Sequence, residues 1–208
     1  MKNICYRFVN ADMTSYQDKK IKWKLGEWKE QSGNLKCCSN GLHASLTPLQ
    51  SLNNIYGEKW FIAEYKGKIV EEDNKFCASQ MRLVKEIPIK VLQYFSIRCA
   101  KRVLKFYEKK YPNDKRPALA IQAAEDFLDG KITIKEANAA ADAAYAAAHA
   151  AHAAHAAYAA AYAAAHAADA AYAAAHAAAH AADAAYAADA EKKWQIKEIN
   201  LLIKQYVK

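Results

Sequence analysis

Between residues 137 and 190, 38 of 54 positions are alanine, and the other sixteen are six His, five Tyr, four Asp and one Asn. Alanine has the best helix propensity, so this tract can be helical without a hydrophobic face to force it. No Gly or Pro interrupts it. The spacing of the larger residues predicts one continuous helix from about Ile134 to Val207, on the order of 110 Å long at ~1.5 Å per residue. An Asp, His or Tyr at every third or fourth position is costly in lipid, so no membrane-spanning segment is expected.

The tract repeats every 14 residues. His152, His155, Tyr158 and Tyr162 are followed by His166, Asp169, Tyr172 and His176, then by His180, Asp183, Tyr186 and, one residue early, Asp189. Fourteen residues fall about 40° short of four turns, so the stripe drifts slowly left-handed, as a heptad seam does. Tyr145 stands four residues ahead of His149, and His149, His152, His155 and Tyr158 then close up to steps of three, which predicts a bend or a change of partner near His149. Beyond it, Trp194, Ile199, Leu202, Ile203 and Tyr206 form an ordinary amphipathic stripe. The expected use of both stripes is contact, with copies of the same chain or with another helix, and a homo-oligomer follows. The alternative is a solvated spacer whose His and Tyr only confer solubility. Histidines at i, i+3 or i, i+4, such as His149/His152 and His176/His180, have chelating spacing, but Tyr and Asp take equivalent places in the repeat. No closed ligand set recurs, and no metal or other cofactor is expected.

Charge divides the chain at the same places: the net formal charge is +9 over residues 1–136, −4 over the tract and +3 over residues 191–208. A basic globular part attracts anionic partners, yet its lysines are scattered rather than interleaved with aromatics, so nucleic acid is not the expected partner. Five cysteines, Cys5, Cys37, Cys38, Cys77 and Cys99, make an odd set with no signal peptide ahead of them. A reducing cytoplasm is the expected compartment.

Residues 3–9 predict an opening strand, and Trp23, Leu25 and Trp28 a weaker extended stretch broken by Gly26. Asn40-Gly41 is a turn signal, with Leu42-His43-Ala44 a short buried strand behind it. Thr47-Pro48-Leu49-Gln50 reads as a capped helix start, the helix ending near Tyr56-Gly57. Residues 60–70, with Gly67 as a bend or bulge, and 81–84 predict paired strands. From Pro88 the period becomes helical as far as the break at Tyr111-Pro112-Asn113-Asp114, and a second helix runs from Pro117 to Leu128. The expected fold class is therefore α+β: a small N-terminal mixed sheet with one or two helices, then a helical region ending in the long alanine-rich helix. The division is into a basic head (1–87), a helical connector (88–132) and the long helix with its amphipathic end (133–208).

No Walker loop, dinucleotide fingerprint, nucleophile elbow or HExxH sequence is present. No catalytic residue is assigned. Tyr6 and Arg7 in the first strand, His43 and Ser45 before the capped helix, and Glu64 in the later strand are the candidate ligand-binding residues. Their order resembles the way ADP-ribosyltransferase folds place nicotinamide-dinucleotide contacts. The plainer expectation pairs Arg7 with a carboxylate and makes His43 a hydrogen-bonded turn residue.

Residues 1–87 resemble an uncharacterised domain family found mostly in phage and prophage proteins, through Tyr6-Arg7, the segment from Cys38 to Ala44 with the following Pro48, and the strand from Ala78 to Val84. Residues 99–190 resemble an immunity protein family of bacterial polymorphic toxin systems, through Cys99-Ala100-Lys101-Arg102-Val103-Leu104, the break from Tyr111 to Pro117, Ala120-Ile121, Gly130-Lys131-Ile132 and the alanine-rich helix. The resemblance implies a phage-encoded protein of the host cytoplasm that binds and neutralises a host effector or defence protein without being an enzyme. The alternative is a nucleotide-binding, sequestering or ADP-ribosyltransferase-like module in the head.

Overall fold

A computed structural model describes residues 3–16, 19–53, 57–72, 75–140 and 188–207. It is mixed α and β: an N-terminal antiparallel sheet followed by helices. Two compact units are present, Met1–Pro88 with Ile203–Lys208, and Ile89–Leu202.

In the first unit the sheet is built from β1 (Ile4–Val9), β2 (Lys29–Glu30), β3 (Leu42–Ala44), β4 (Lys59–Glu72) and β5 (Lys75–Ile87). The order is β1-β4-β5-β2, with β3 also on β5. Every pairing is antiparallel rather than mixed. Parallel pairing needs a crossover of a dozen or more residues, usually a helix, and the helix described between these strands, α1 (Pro48–Leu52), has five. The sheet curls until its far parts meet, because Tyr6 and Ser45 exchange backbone hydrogen bonds of 2.8 and 3.0 Å. Inside the curl lies a core of Cys5, Val9, Trp23, Leu42, Ala44, Phe61, Ala63, Phe76, Ala78, Met81 and Leu83.

Most expected elements stand where the residues put them, and the departures have local causes. Trp23–Trp28 is not a strand. Trp23 is buried in the core, Gly26 turns at φ +78°, and only Lys29–Glu30 pairs with β5. Thr47 caps α1 with the full reciprocal box through Gln50, but the helix stops at Leu52 with Asn53 as its C-cap, since asparagine competes with the helix for backbone partners. Gly67 is the expected bend, at φ +81°, where a Cβ would lie 2.3 Å from Ser79 Oγ. Strands β4 and β5 run further than expected, to Glu72 and from Lys75: antiparallel pairing continues past the bulge, with the end of β4 exposed and Phe76, Cys77 and Ala78 of β5 buried.

In the second unit α2 (Ile89–Lys110) packs on α3 (Arg116–Leu128) around Ile97, Ala100, Ile121, Ala124 and Ala137. The break between them is held by Asp114, which accepts from Tyr107 Oη at 2.8 Å and from the Arg116 guanidinium at 2.9 Å. Residues 134–140 are helical, and Thr133 opens them with a second capping box to Glu136. The last helix, α4, spans Ala188–Tyr206. The expected single helix through the alanine tract, with its bend near His149, lies outside the described residues. Among the described residues no helix is long and apolar enough to cross a membrane.

The amphipathic end differs from expectation. Ile199 and Leu202 are fully buried and Ile203 nearly so within the single chain, while Leu201 on the other side of α4 is 46% exposed. The stripe is thus covered by the chain itself rather than presented whole to a partner. In the second unit Arg102 stacks 4.5 Å over Trp194 and pairs with Glu191, and Arg98 pairs with Glu198, so α2 and α4 are clamped by charge and by a cation over an aromatic ring.

Candidate functional site

Strand alternation puts Cys5, Arg7 and Val9 on one face of β1, and both neighbours of Arg7 on that face belong to the core. A guanidinium therefore stands where the pattern asks for an apolar side chain. Its Nη1 donates to the backbone oxygen of His43 and its Nη2 to Ser15 Oγ at 2.8 Å. Its plane lies 4.6 Å over the Trp23 ring, and its Nε is buried without a hydrogen-bond partner. No carboxylate pairs with it among the described residues. The expected carboxylate partner is absent, and burial lowers its pKa to about 10.

Beside this residue is a cavity of about 210 Å³. Four of the five candidate ligand-binding residues line it: Tyr6 and Arg7 from β1, His43 from β3 and Ser45 just beyond. The Tyr6–Ser45 exchange that closes the sheet is what brings the two segments together. Glu64 is set apart. It lies opposite Arg82 in the β4/β5 register and accepts from that guanidinium at 2.8 and 2.5 Å, a cross-strand pair on another part of the sheet.

Among the other lining residues, Ser15 and Lys75 carried no motif in the sequence, and Asn40 was read there only as part of a turn signal. Ser15 Oγ accepts from both Arg7 and Trp23 Nε1, the latter at 2.9 Å, so its own proton is left to donate. Lys75, at the start of β5, donates to Cys38 Sγ at 2.9 Å and lies 3.4 Å from Glu72, contacts that hold its ammonium charged with a pKa of about 12. Asn40 clamps the loop before β3 by donating to the backbone oxygens of Ser32 and Asn34, both at 2.9 Å. Gly41 follows at φ +144°, where a Cβ would fall 2.7 Å from that of Cys77. Cys38 itself adopts φ +64°, unusual for a side-chain-bearing residue.

His43 is indeed hydrogen-bonded in the turn: its Nε2 accepts the Cys38 backbone N–H at 2.8 Å. Burial, then the charges of Arg7 and Lys75, lower its pKa and favour neutral imidazole. The ligand atoms of Cys37, His43 and Cys77 lie within 4.8 Å of one another, the one such trio among the described residues. It is a thiol cluster in this state, since burial and the Cys77 contact push the Cys37 thiol up to about 12 and the Nε2 lone pair is already engaged. All five cysteines are free.

Of the interface candidates, Tyr145, His149, His152, His155, Tyr158, Tyr162, His166, Tyr172, His176, His180 and Tyr186 lie outside the described residues. Trp194 is half-buried against Arg102, and Tyr206 is half-buried.

Two family models match this chain. Residues 3–94 match a domain of unknown function, DUF7666. Residues 82–202, more than half of the chain, match the family described as Imm-5 like putative immunity protein, and the chain belongs to that family. No curated protein and no solved structure matches it.

Proposed function

We infer that this protein is a non-enzymatic immunity protein: it binds a proteinaceous toxin or effector and neutralises it. Membership of the Imm-5 like family over residues 82–202 is the observation that carries this reading. The helical unit has the surface for it. Helix α2 bears seven Lys and Arg against one Glu, and Phe106 on α2 and Leu119 on α3 are each 62% exposed. Apolar anchors among basic residues suit an acidic protein face. In this reading the alanine tract mediates self-association, the gene is phage-borne, and the target is a host effector or defence protein of the bacterial cytoplasm.

The test is capture followed by function. Full-length protein is cross-linked in bacteria, the captured protein is co-expressed with it, and growth is measured. Rescue of growth is expected, with Phe106→Asp and Leu119→Asp each weakening both capture and rescue. A captured protein whose toxicity is unchanged sinks the reading. The self-association is tested by sedimentation at pH 7 and pH 5. Charging six tract histidines along one seam should dissociate an oligomer that the seam holds, and His→Gln variants should not respond.

A further inference from the structure

In the N-terminal unit Arg7 is a half-buried cation with no carboxylate partner among the described residues. Removing a guanidinium from water is expensive unless an anion or several hydrogen bonds replace the lost solvation. Arg7 has two such bonds, to the His43 carbonyl and Ser15 Oγ, which leave three of its five N–H groups unused. An apolar residue at this inward position would avoid the cost, so its retention next to a cavity is informative.

The cavity lining has one sign of charge. Among the described residues that line it, Arg7 and Lys75 carry the charge; both act on His43, and Glu72, 3.4 Å from Lys75 and outside the lining, opposes them there. The Ser15 hydroxyl, already accepting twice, supplies a neutral donor at the same place. Two cations and a hydroxyl suit a doubly charged phosphate monoester better than a single carboxylate. At about 210 Å³ the space is smaller than pockets for drug-sized ligands, which run from roughly 300 Å³. A phosphorylated sugar fits that scale; a dinucleotide does not.

We propose that the cavity between β1 and β3 binds a small organic phosphate, its phosphoryl group held by Arg7 and Lys75 and by the Ser15 hydroxyl. The site is independent of the immunity reading, because all of its residues lie before residue 82, where the Imm-5 like match begins. Occupancy would complete the solvation of Arg7 and make protonation of His43 easier.

Calorimetric titration of the full-length protein tests this with four probes: ribose 5-phosphate, inorganic phosphate, unphosphorylated ribose and acetate. Saturable binding of ribose 5-phosphate is expected, with ribose and acetate silent. Arg7→Gln should weaken it at least tenfold and the surface variant Lys109→Gln should leave it unchanged. Should Arg7→Gln not fold, Lys75→Gln, a half-buried rim position, is the replacement and should weaken binding at least threefold. Titrations near pH 6 in buffers of different ionisation enthalpy should show proton uptake that His43→Gln abolishes, a signature a merely structural Arg7 would not produce. Absence of saturable binding at millimolar ribose 5-phosphate overturns the proposal. So does binding of inorganic phosphate without ribose 5-phosphate, or equal weakening by Lys109→Gln.

Discussion

At the scale of single residues, the N-terminal unit holds two basic groups that burial acts against. His43 is the one whose response falls in an accessible range. Burial, Arg7 and Lys75 depress its folded pKa, while Glu72 and the Gly41 backbone oppose them more weakly. A base with a depressed folded pKa stabilises the fold above its unfolded value of about 6.5, and that contribution is lost as pH falls through the folded value. Thermal stability should therefore drop between pH 7 and pH 5.5, and His43→Gln should remove part of that drop. Identical pH profiles for the two proteins would count against this account. The identity of Tyr6, Arg7, His43 and Ser45 as one group was legible because each sits beside a strand or cap signal. The roles of Ser15 and Lys75 were not, since a serine in a loop and one lysine among many carry no pattern. Glu64 looked equivalent in the sequence and differs only because β5 sets Arg82 opposite it.

Among elements, the most consequential is α4. Its apolar stripe looks in the sequence like a surface awaiting a partner, but Ile199 and Leu202 are fully buried in the chain. Ile199→Ala should cost about 2–5 kcal/mol in chemical denaturation, the range for truncating a buried aliphatic side chain. Leu201→Ala, two positions on and 46% exposed, should stay within about 0.5 kcal/mol. Equal effects would mean that α4 is not held by this face. The start of α1, by contrast, was legible from four residues: Thr47 to Gln50 forms a capping box whatever the rest of the chain does.

For the molecule as a whole, a basic surface and a formal charge of +8 make salt the simplest probe of partner binding. If α2 meets an acidic face, raising ionic strength from 0.05 to about 0.5 M should slow association and weaken capture, because exposed charges are screened within about 10 Å at 0.1 M. Binding unaffected by salt would point to Phe106 and Leu119 alone. What the sequence by itself determined is local: strand alternation, helix caps, the breaks at Pro88 and Pro112, and the division between a mixed-composition head and an alanine-rich tract. These depend on interactions between neighbours in the chain, which composition and spacing record directly. What only the tertiary structure decided is long-range: that Tyr6 and Ser45 close the sheet, that Arg7 meets the His43 carbonyl and Ser15 while Glu64 meets Arg82, and that Ile199 and Leu202 of α4 are already buried. Each of these depends on which distant segment arrives at a given face, and a period of two or 3.6 residues says that a face is apolar without saying what will lie against it.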